Sequence, residues 1–246
     1  MHTAYEHFMK LKQNIENNEQ VLCLLGLGSM ADTKRLDEFS DIDFFLIVEK
    51  GKKQGFLKDL SWLEIRPMAF TFKNTPDGYK VLFDDGIFAE FAVFEPEELA
   101  SIPFSEGDPV YVKEGFDRDL LNPRRVPKKE PVDVDFNVNE ALSNLLIGLQ
   151  REKRGEHASA FTFIQVNAAK LIMELFETIH ESQNTQIDPF DTDRRVERRY
   201  KNVKTVLANL KQGYDKNKAS ALYALDLLDK HFSLNKAMKD KIISLS

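Results

Sequence analysis

An α+β chain is predicted, with an N-terminal domain that mixes strands and helices and an all-helical C-terminal domain. Three observations carry this. Short β-rich runs bounded by Gly, Pro and Asp fill the first half of the 246 residues. A stretch with three prolines and four basic residues, 122–131, then interrupts the chain and reads as a linker. Beyond it the apolar residues recur at helical spacing and strong strand signals stop. The expected boundaries are 1–122 for the first domain, 123–133 for the linker and 134–246 for the helical domain.

The elements are taken in chain order. Phe8, Met9, Leu11 and Ile15 sit near helical spacing between Tyr5 and Glu16, and Asn17-Asn18 marks the exit. Val21-Leu22-Cys23-Leu24-Leu25 is wholly apolar and reads as a strand buried on both faces. Gly26, Gly28 and Ser29 end it. Asp41 to Val48 is a second strand, with Asp41 and Asp43 on one face and Ile42 and Phe44 on the other. Leu57, Leu60 and Leu63 recur every third residue and predict a short helix, with Trp62 as a packing residue. Met68–Phe72 and Tyr79–Phe83 flank a Pro-Asp-Gly turn, a hairpin signal. In the strand Ile87–Phe94, Glu90 is the only charge, on the face of Phe88, Ala92 and Phe94. A carboxylate in an apolar strand is costly without a partner. After the linker, helices are predicted along Val138–Leu149, Ala158–Ile179, Val196–Leu210 and Ala219–Phe232. The expected core stripe of the second is Phe161, Ile164, Ala168, Leu171, Leu175 and Ile179.

Composition bounds the function. With 42% hydrophobic and 30% charged residues, this is the balance of a globular protein. No apolar run is long enough to span a bilayer, and the first residues lack the pattern of a secretory signal, so a cytoplasmic protein with no membrane partner is expected. Cys23 is the only cysteine and reads as a small buried hydrophobe. The formal net charge of −6 argues against a large nucleic-acid footprint, since phosphate binding is driven by Lys and Arg. The basic stretches 123–129 and 194–199 read as solvated faces. The five histidines lack metal-ligand spacing.

One constellation carries chemistry. A buried strand leads to Gly28-Ser29, a short loop, and then Ser40-Asp41-Ile42-Asp43 opening an apolar strand, with Glu90 as a third carboxylate. Gly28 lets backbone approach a phosphate, and Ser29 offers it a hydroxyl and an N–H. Carboxylates on one strand face can share Mg²⁺, which takes hard oxygen ligands from one or two carboxylates and from substrate phosphates. Lys34 and Arg35 lie in the connecting loop as candidate phosphate cations. This is the equipment of metal-dependent nucleotidyl transfer. Asp84, Asp85, Glu95, Glu97 and Glu98 sit at strand and helix ends, where turn chemistry explains them.

Leu25-Gly26-Leu27-Gly28-Ser29 together with Ser40-Asp41-Ile42-Asp43-Phe44-Phe45-Leu46-Ile47 resembles the polymerase-β-like nucleotidyltransferase superfamily. Within it the chain is most similar to bacterial lincosamide and aminoglycoside nucleotidyltransferases. Val81-Leu82-Phe83-Asp84 with Ala89-Glu90-Phe91 resembles the stretch bearing their third carboxylate, and Lys153 to Ala158 resembles a junction of C-terminal helices. The resemblance implies a mixed-sheet nucleotidyltransferase domain followed by a helical bundle. It implies Mg²⁺ and ATP or another nucleoside triphosphate, with Asp41, Asp43 and Glu90 as metal and catalytic residues and Glu90 also as general base. Gly28, Ser29 and Lys34 would bind the triphosphate. The acceptor would be a small hydroxyl-bearing, antibiotic-like molecule, and a homodimer fits the family. Many relatives carry Arg-Gly shortly after the Ser. Here Met30-Ala31-Asp32-Thr33-Lys34-Arg35 stands instead, which leaves the triphosphate-binding cation open. Arg151, Arg154 and Glu156 read as charges of a solvated helix junction, and Asp191 or Asp193 as a cap. Two other readings remain at this point: nucleotidylation of a protein or tRNA, and a non-catalytic nucleotide-binding module.

Overall fold

A computed structural model describes residues 3–127, 131–183, 188, 190–191 and 193–246. Lys128 and Lys129 of the basic stretch and Thr192 lie outside the described residues. The chain divides into two compact units, Met1–Pro127 and Lys128–Ser246.

The first unit is built on a six-stranded mixed sheet in the order β3-β4-β5-β2-β1-β6. Its strands are β1 (Val21–Gly26), β2 (Ile42–Val48), β3 (Met68–Thr75), β4 (Gly78–Phe83), β5 (Phe88–Phe94) and β6 (Asp108–Val112). The β2–β5 pair is parallel; every other pair is antiparallel. Period-2 alternation sorts the side chains between two cores. Leu24, Ile42, Phe44, Leu46, Ala89, Phe91 and Val93 enter the larger one. Cys23, Leu25, Ile47 and Phe94 enter a smaller one on the other face. The apolar β1 is therefore buried on both faces. Burial pushes the Cys23 thiol up to about 12, which makes it inert as a nucleophile.

Helix α1 (Thr3–Ile15) covers the larger core with Ala4, His7, Phe8, Leu11 and Ile15, and Phe8 meets Phe44 at 5.8 Å between ring centroids. The helix expected around Leu57–Leu63 forms as two pieces, α2 (Lys53–Lys58) and a 3₁₀ turn at Ser61–Leu63. Trp62 sits there against Phe44, Phe56 and Phe91, and its indole N–H donates to the Phe56 carbonyl at 3.0 Å. Its packing role matches the sequence reading. The hairpin turn is pinned by Lys53, whose Nζ lies 2.7 Å from Asp77 and 2.6 Å from Glu98. Asp84 and Asp85 are engaged by Arg66 at 2.7 and 3.3 Å, and Asp85 also by His7 at 2.9 Å, so both serve structure. Strand β6 has no counterpart in the sequence reading, because Pro109 and Asp108 mask it. Both are tolerated because β6 is the sheet's edge, paired with β1 alone.

The second unit is helical among its described residues. Helix α3 (Val134–Lys153) starts at Asp133, whose carboxylate accepts from the Phe136 N–H, and buries Val138, Ala141, Leu142, Leu145 and Leu149. The long helix expected from Ala158 to Ile179 is broken into α4 (His157–Phe161), a π-helical stretch Thr162–Ala168, α5 (Ala169–Glu174) and α6 (Phe176–Ile179). The wider π turn rotates the helical faces on its C-terminal side. Of the expected stripe, Ile164, Ala168 and Leu175 are buried, whereas Phe161, Leu171 and Ile179 are only half-buried; Ile172, Met173 and Phe176 are buried in addition. The Val196–Leu210 helix divides into α7 (Val196–Arg199) and α8 (Val203–Leu210) at Asn202, whose φ is +61°. Helices α9 (Asn217–His231) and α10 (Lys236–Leu245) close the unit, and α10 went unread in the sequence. Arg151 and Glu156 form a 2.7 Å ion pair across the α3–α4 junction, a local staple.

One half-buried titratable group in this unit has a measurable consequence. His180 packs edge-on against Phe176 at 4.9 Å, and its Nε2 is buried without a hydrogen-bond partner. Burial, and secondarily the His231 charge, hold its pKa below the ordinary imidazole value. The unfolded chain then binds the proton more readily than the folded one. The stabilisation is complete above about pH 6.5 and fades as pH falls through the depressed folded value. The urea midpoint of the full chain should fall between pH 7.5 and 5.5, and His180→Phe should flatten that slope. An equal slope in the variant would exclude His180 as its source.

Candidate active site

The site is assembled at the start of β2. In the parallel β2–β5 ladder Asp43 lies directly opposite Glu90, so the two carboxylates are neighbours on one face. Asp41 immediately precedes the strand, two residues before Asp43, and both aspartates are half-buried. Strand alternation leaves Ile42 and Phe44 to the core behind them.

The Gly28-Ser29 turn is fastened to the same place. The Leu27 N–H donates to the Asp43 carbonyl at 2.8 Å, and the Met30 N–H closes the turn on the Leu27 carbonyl at 2.8 Å. The Ser29 hydroxyl reaches the Asp41 carbonyl at 3.4 Å. Gly28 has φ +56°, the left-handed region, and a Cβ there would stand 2.9 Å from Asp43 Oδ2. Only glycine satisfies both the turn and the approach of the carboxylate. Met30 is fully buried and anchors the turn from below. Its role was not legible in the sequence, where it appeared only as a departure from the family pattern.

Ser40 closes its own loop: its hydroxyl accepts from the Asp37 N–H at 2.9 Å and donates to the Asp37 carboxylate at 3.2 Å. Lys34 lies in a 3₁₀ turn, Thr33–Arg35, capped by Asp32, with its side chain exposed. Two residues that sequence reasoning missed stand beside Glu90. Lys80 lies opposite it in the β4–β5 ladder with Nζ 3.3 Å from Oε2, and Asn74 donates to Oε1 at 2.9 Å. These contacts supply the partner that an acid in an apolar strand requires. Both ends of the Lys80–Glu90 pair are more than a third exposed, so the pair contributes about 1 kcal/mol or less. The Lys80 signal was its alternation with Tyr79 and Val81; Asn74 was missed because the expected strand ended at Phe72, whereas β3 runs on to Thr75.

Among the described residues no group of three His, Cys, Asp or Glu side chains is arranged to hold a metal ion. The third carboxylate is turned to Asn74 and Lys80 instead. What remains is the Asp41 and Asp43 pair beside a glycine turn whose missing side chain leaves room at Asp43 Oδ2. That donor set fits Mg²⁺, which needs one or two carboxylates and completes its shell with phosphate and water oxygens. Among the described residues no helix is long and apolar enough to cross a membrane.

No family model matches the chain, and no curated protein matches it. Solved structures give loose superpositions. An aminoglycoside 6-adenyltransferase from Bacillus subtilis aligns over 100% of this chain and 92% of its own, at 15% identity and a TM-score of 0.35. A nucleotidyltransferase-like protein from Exiguobacterium sibiricum aligns over 92% of this chain and 74% of its own, at 9% identity and a TM-score of 0.31. A STING-associated c-di-GMP synthase from Capnocytophaga granulosa aligns over 98% and 76%, at 12% identity and a TM-score of 0.31.

Proposed function

We propose that the chain is a nucleotidyltransferase that moves a nucleoside monophosphate from ATP or another nucleoside triphosphate to a hydroxyl of a small molecule. The observation that carries this is the β2–β5 register, which sets Glu90 beside Asp43, with Gly28 pressed against the same aspartate. Asp41 and Asp43 would hold Mg²⁺, which supplies neutralisation of the charge on the phosphate oxygens. The Gly28-Ser29 turn offers its N–H groups and the Ser29 hydroxyl to the triphosphate. Glu90, beside Asp43 in the ladder, would take the proton of the acceptor hydroxyl. The hydroxyl oxygen bonds to the α-phosphorus as the bond to the leaving pyrophosphate breaks. Asn74 and Lys80 hold Glu90 in position, and Lys80 can receive negative charge once the acceptor displaces it.

The reading predicts Mg²⁺-dependent pyrophosphate release when the protein meets each of the four nucleoside triphosphates and a panel of hydroxyl-bearing acceptors, lincosamides and aminoglycosides included. A chelator should abolish the release. No release from any combination would overturn a small-molecule acceptor, and label passing from ATP to a protein or tRNA would replace it. The engagement of Glu90 by Lys80 and Asn74 favours a second reading, a nucleotide-binding module without turnover. Calorimetry showing nucleotide binding indifferent to Mg²⁺ would select it.

A further inference from the structure

The carboxylate face of the sheet continues past the site. Register partners stand on one face, so the ladders lay Asp43, Glu90, Lys80 and Phe72 in a single row across β2, β5, β4 and β3. The neighbouring row on the same face is Phe88, Leu82 and Phe70. Phe70 and Phe72 are 51% and 54% exposed, with ring centroids 6.5 Å apart, and Leu82 and Phe88 are half-buried. These four side chains belong to none of the apolar cores formed by the described residues. They make an apolar shelf that begins beside Glu90. Apolar surface left open next to polar groups marks a binding site.

We infer that this shelf receives the acceptor, and that the acceptor is a hydroxyl compound with an apolar or aromatic ring face rather than a polycation. The order of the row selects the occupant. Gly28 follows β1, which lies on the far side of β2 from β5, so the phosphate turn and the shelf flank the carboxylates from opposite sides. A molecule that gives its hydroxyl proton to Glu90 finds the turn's side taken by the triphosphate. The rest of it extends over β4 and β3. Strands lie about 4.8 Å apart, so Phe72 stands about 10 Å from Glu90 along the row, the span of two linked rings. Phenyl faces there would hold a ring by stacking, with Glu90 and Asn74 as the few polar groups that fix its orientation. Charge selects the class. Within β3, β4 and β5 this face carries one carboxylate, Glu90, and one ammonium, Lys80, with Lys80 Nζ 3.3 Å from Glu90 Oε2. A polycation would meet that ammonium and find no second anion on these strands. The occupant rests on the chemistry proposed above; the shelf itself does not.

Binding and turnover test the shelf separately. Phenyl β-D-glucoside and methyl β-D-glucoside carry the same sugar hydroxyls and differ only in the ring. By saturation-transfer NMR the full chain should bind the phenyl compound about tenfold more tightly. Phe70→Ala with Phe72→Ala should erase that preference while Trp62 fluorescence stays native. Thr71→Ser, on the opposite face of β3, should keep it. In the pyrophosphate assay the double variant should raise the acceptor KM about tenfold and leave the nucleotide KM unchanged. Aminoglycosides should be poorer acceptors than compounds with an apolar ring. Equal binding of the two glucosides by the unmodified chain overturns the shelf, as does a preference that survives the double substitution. An acceptor KM unmoved by the double variant, or a polycation as the best acceptor, overturns the assignment of the occupant while the chemistry stands. A double variant that changes sedimentation and leaves the acceptor KM alone gives the face to a protein contact instead. Ring preference without pyrophosphate release from any acceptor keeps the shelf and removes the proposed chemistry.

Discussion

Asp43→Asn is expected to lower pyrophosphate release by about 10²–10⁴-fold, the range typical of removing a group that meets charge developing in the transition state. The amide preserves the shape of the side chain while removing the anion. Asp43 is the residue on which the rest of the site converges: its carbonyl receives the Leu27 N–H, its carboxylate abuts Gly28, and its register partner is Glu90. Asp41→Asn should act in the same direction. Gly28→Ala should also lose activity, because its Cβ would occupy the space beside Asp43 Oδ2 and its φ of +56° strains a side chain by about 1–2 kcal/mol. Each variant should keep its fold, read by Trp62, the only tryptophan, which is packed in the first unit's core. Undiminished release in both aspartate variants would remove the proposed chemistry.

The largest effect on stability is expected at Gly78. A Cβ there would stand 2.2 Å from the Phe91 carbonyl oxygen, a backbone atom at the centre of the sheet. Gly78 opposes Ala92 in the β4–β5 ladder and comes directly after the Pro76-Asp77 turn. Relief would require β4 and β5 to part, and β5 carries Glu90. Gly78→Ala should therefore destabilise the first unit by about 3 kcal/mol or more, beyond ordinary overpacking. The measurement is urea unfolding followed by Trp62 fluorescence. Gly55→Ala is the control: it lies in α2 with open space where its Cβ would be, and it should be neutral or slightly stabilising. Equal midpoints for the two variants would refute the account of Gly78.

Much of the fold was legible because local physics dominates where the patterns are strong. The apolar run at Val21–Leu25, the alternation across Ile42–Phe45 and the Pro-Asp turn each stand in the structure as strands or a hairpin. The misreadings share a cause. The helix around Leu57–Leu63 and the long one through Ala158–Ile179 have good periodicity, yet each is interrupted. Periodicity reports which side chains are apolar, whereas the backbone answers to neighbours. In the π-helical stretch Gln165 is buried and bonds to Gly213 and Asn217, and Gly148 on α3 comes so close to Ile164 that a Cβ would stand 2.4 Å from it. None of these three neighbours is within thirteen residues of the segment it shapes.

By itself the sequence determined the local halves of the candidate site. A glycine is required where φ is positive, and two acids separated by one residue share a strand face because strands alternate. The tertiary structure alone decided what stands next to what. It put β5 beside β2 in the register that pairs Glu90 with Asp43, pressed Gly28 against that aspartate, and brought Lys80 and Asn74 to Glu90. The reason is physical. Conformational preferences act over a few residues, whereas the contacts among residues 28, 43, 80 and 90 exist only once the ladders close.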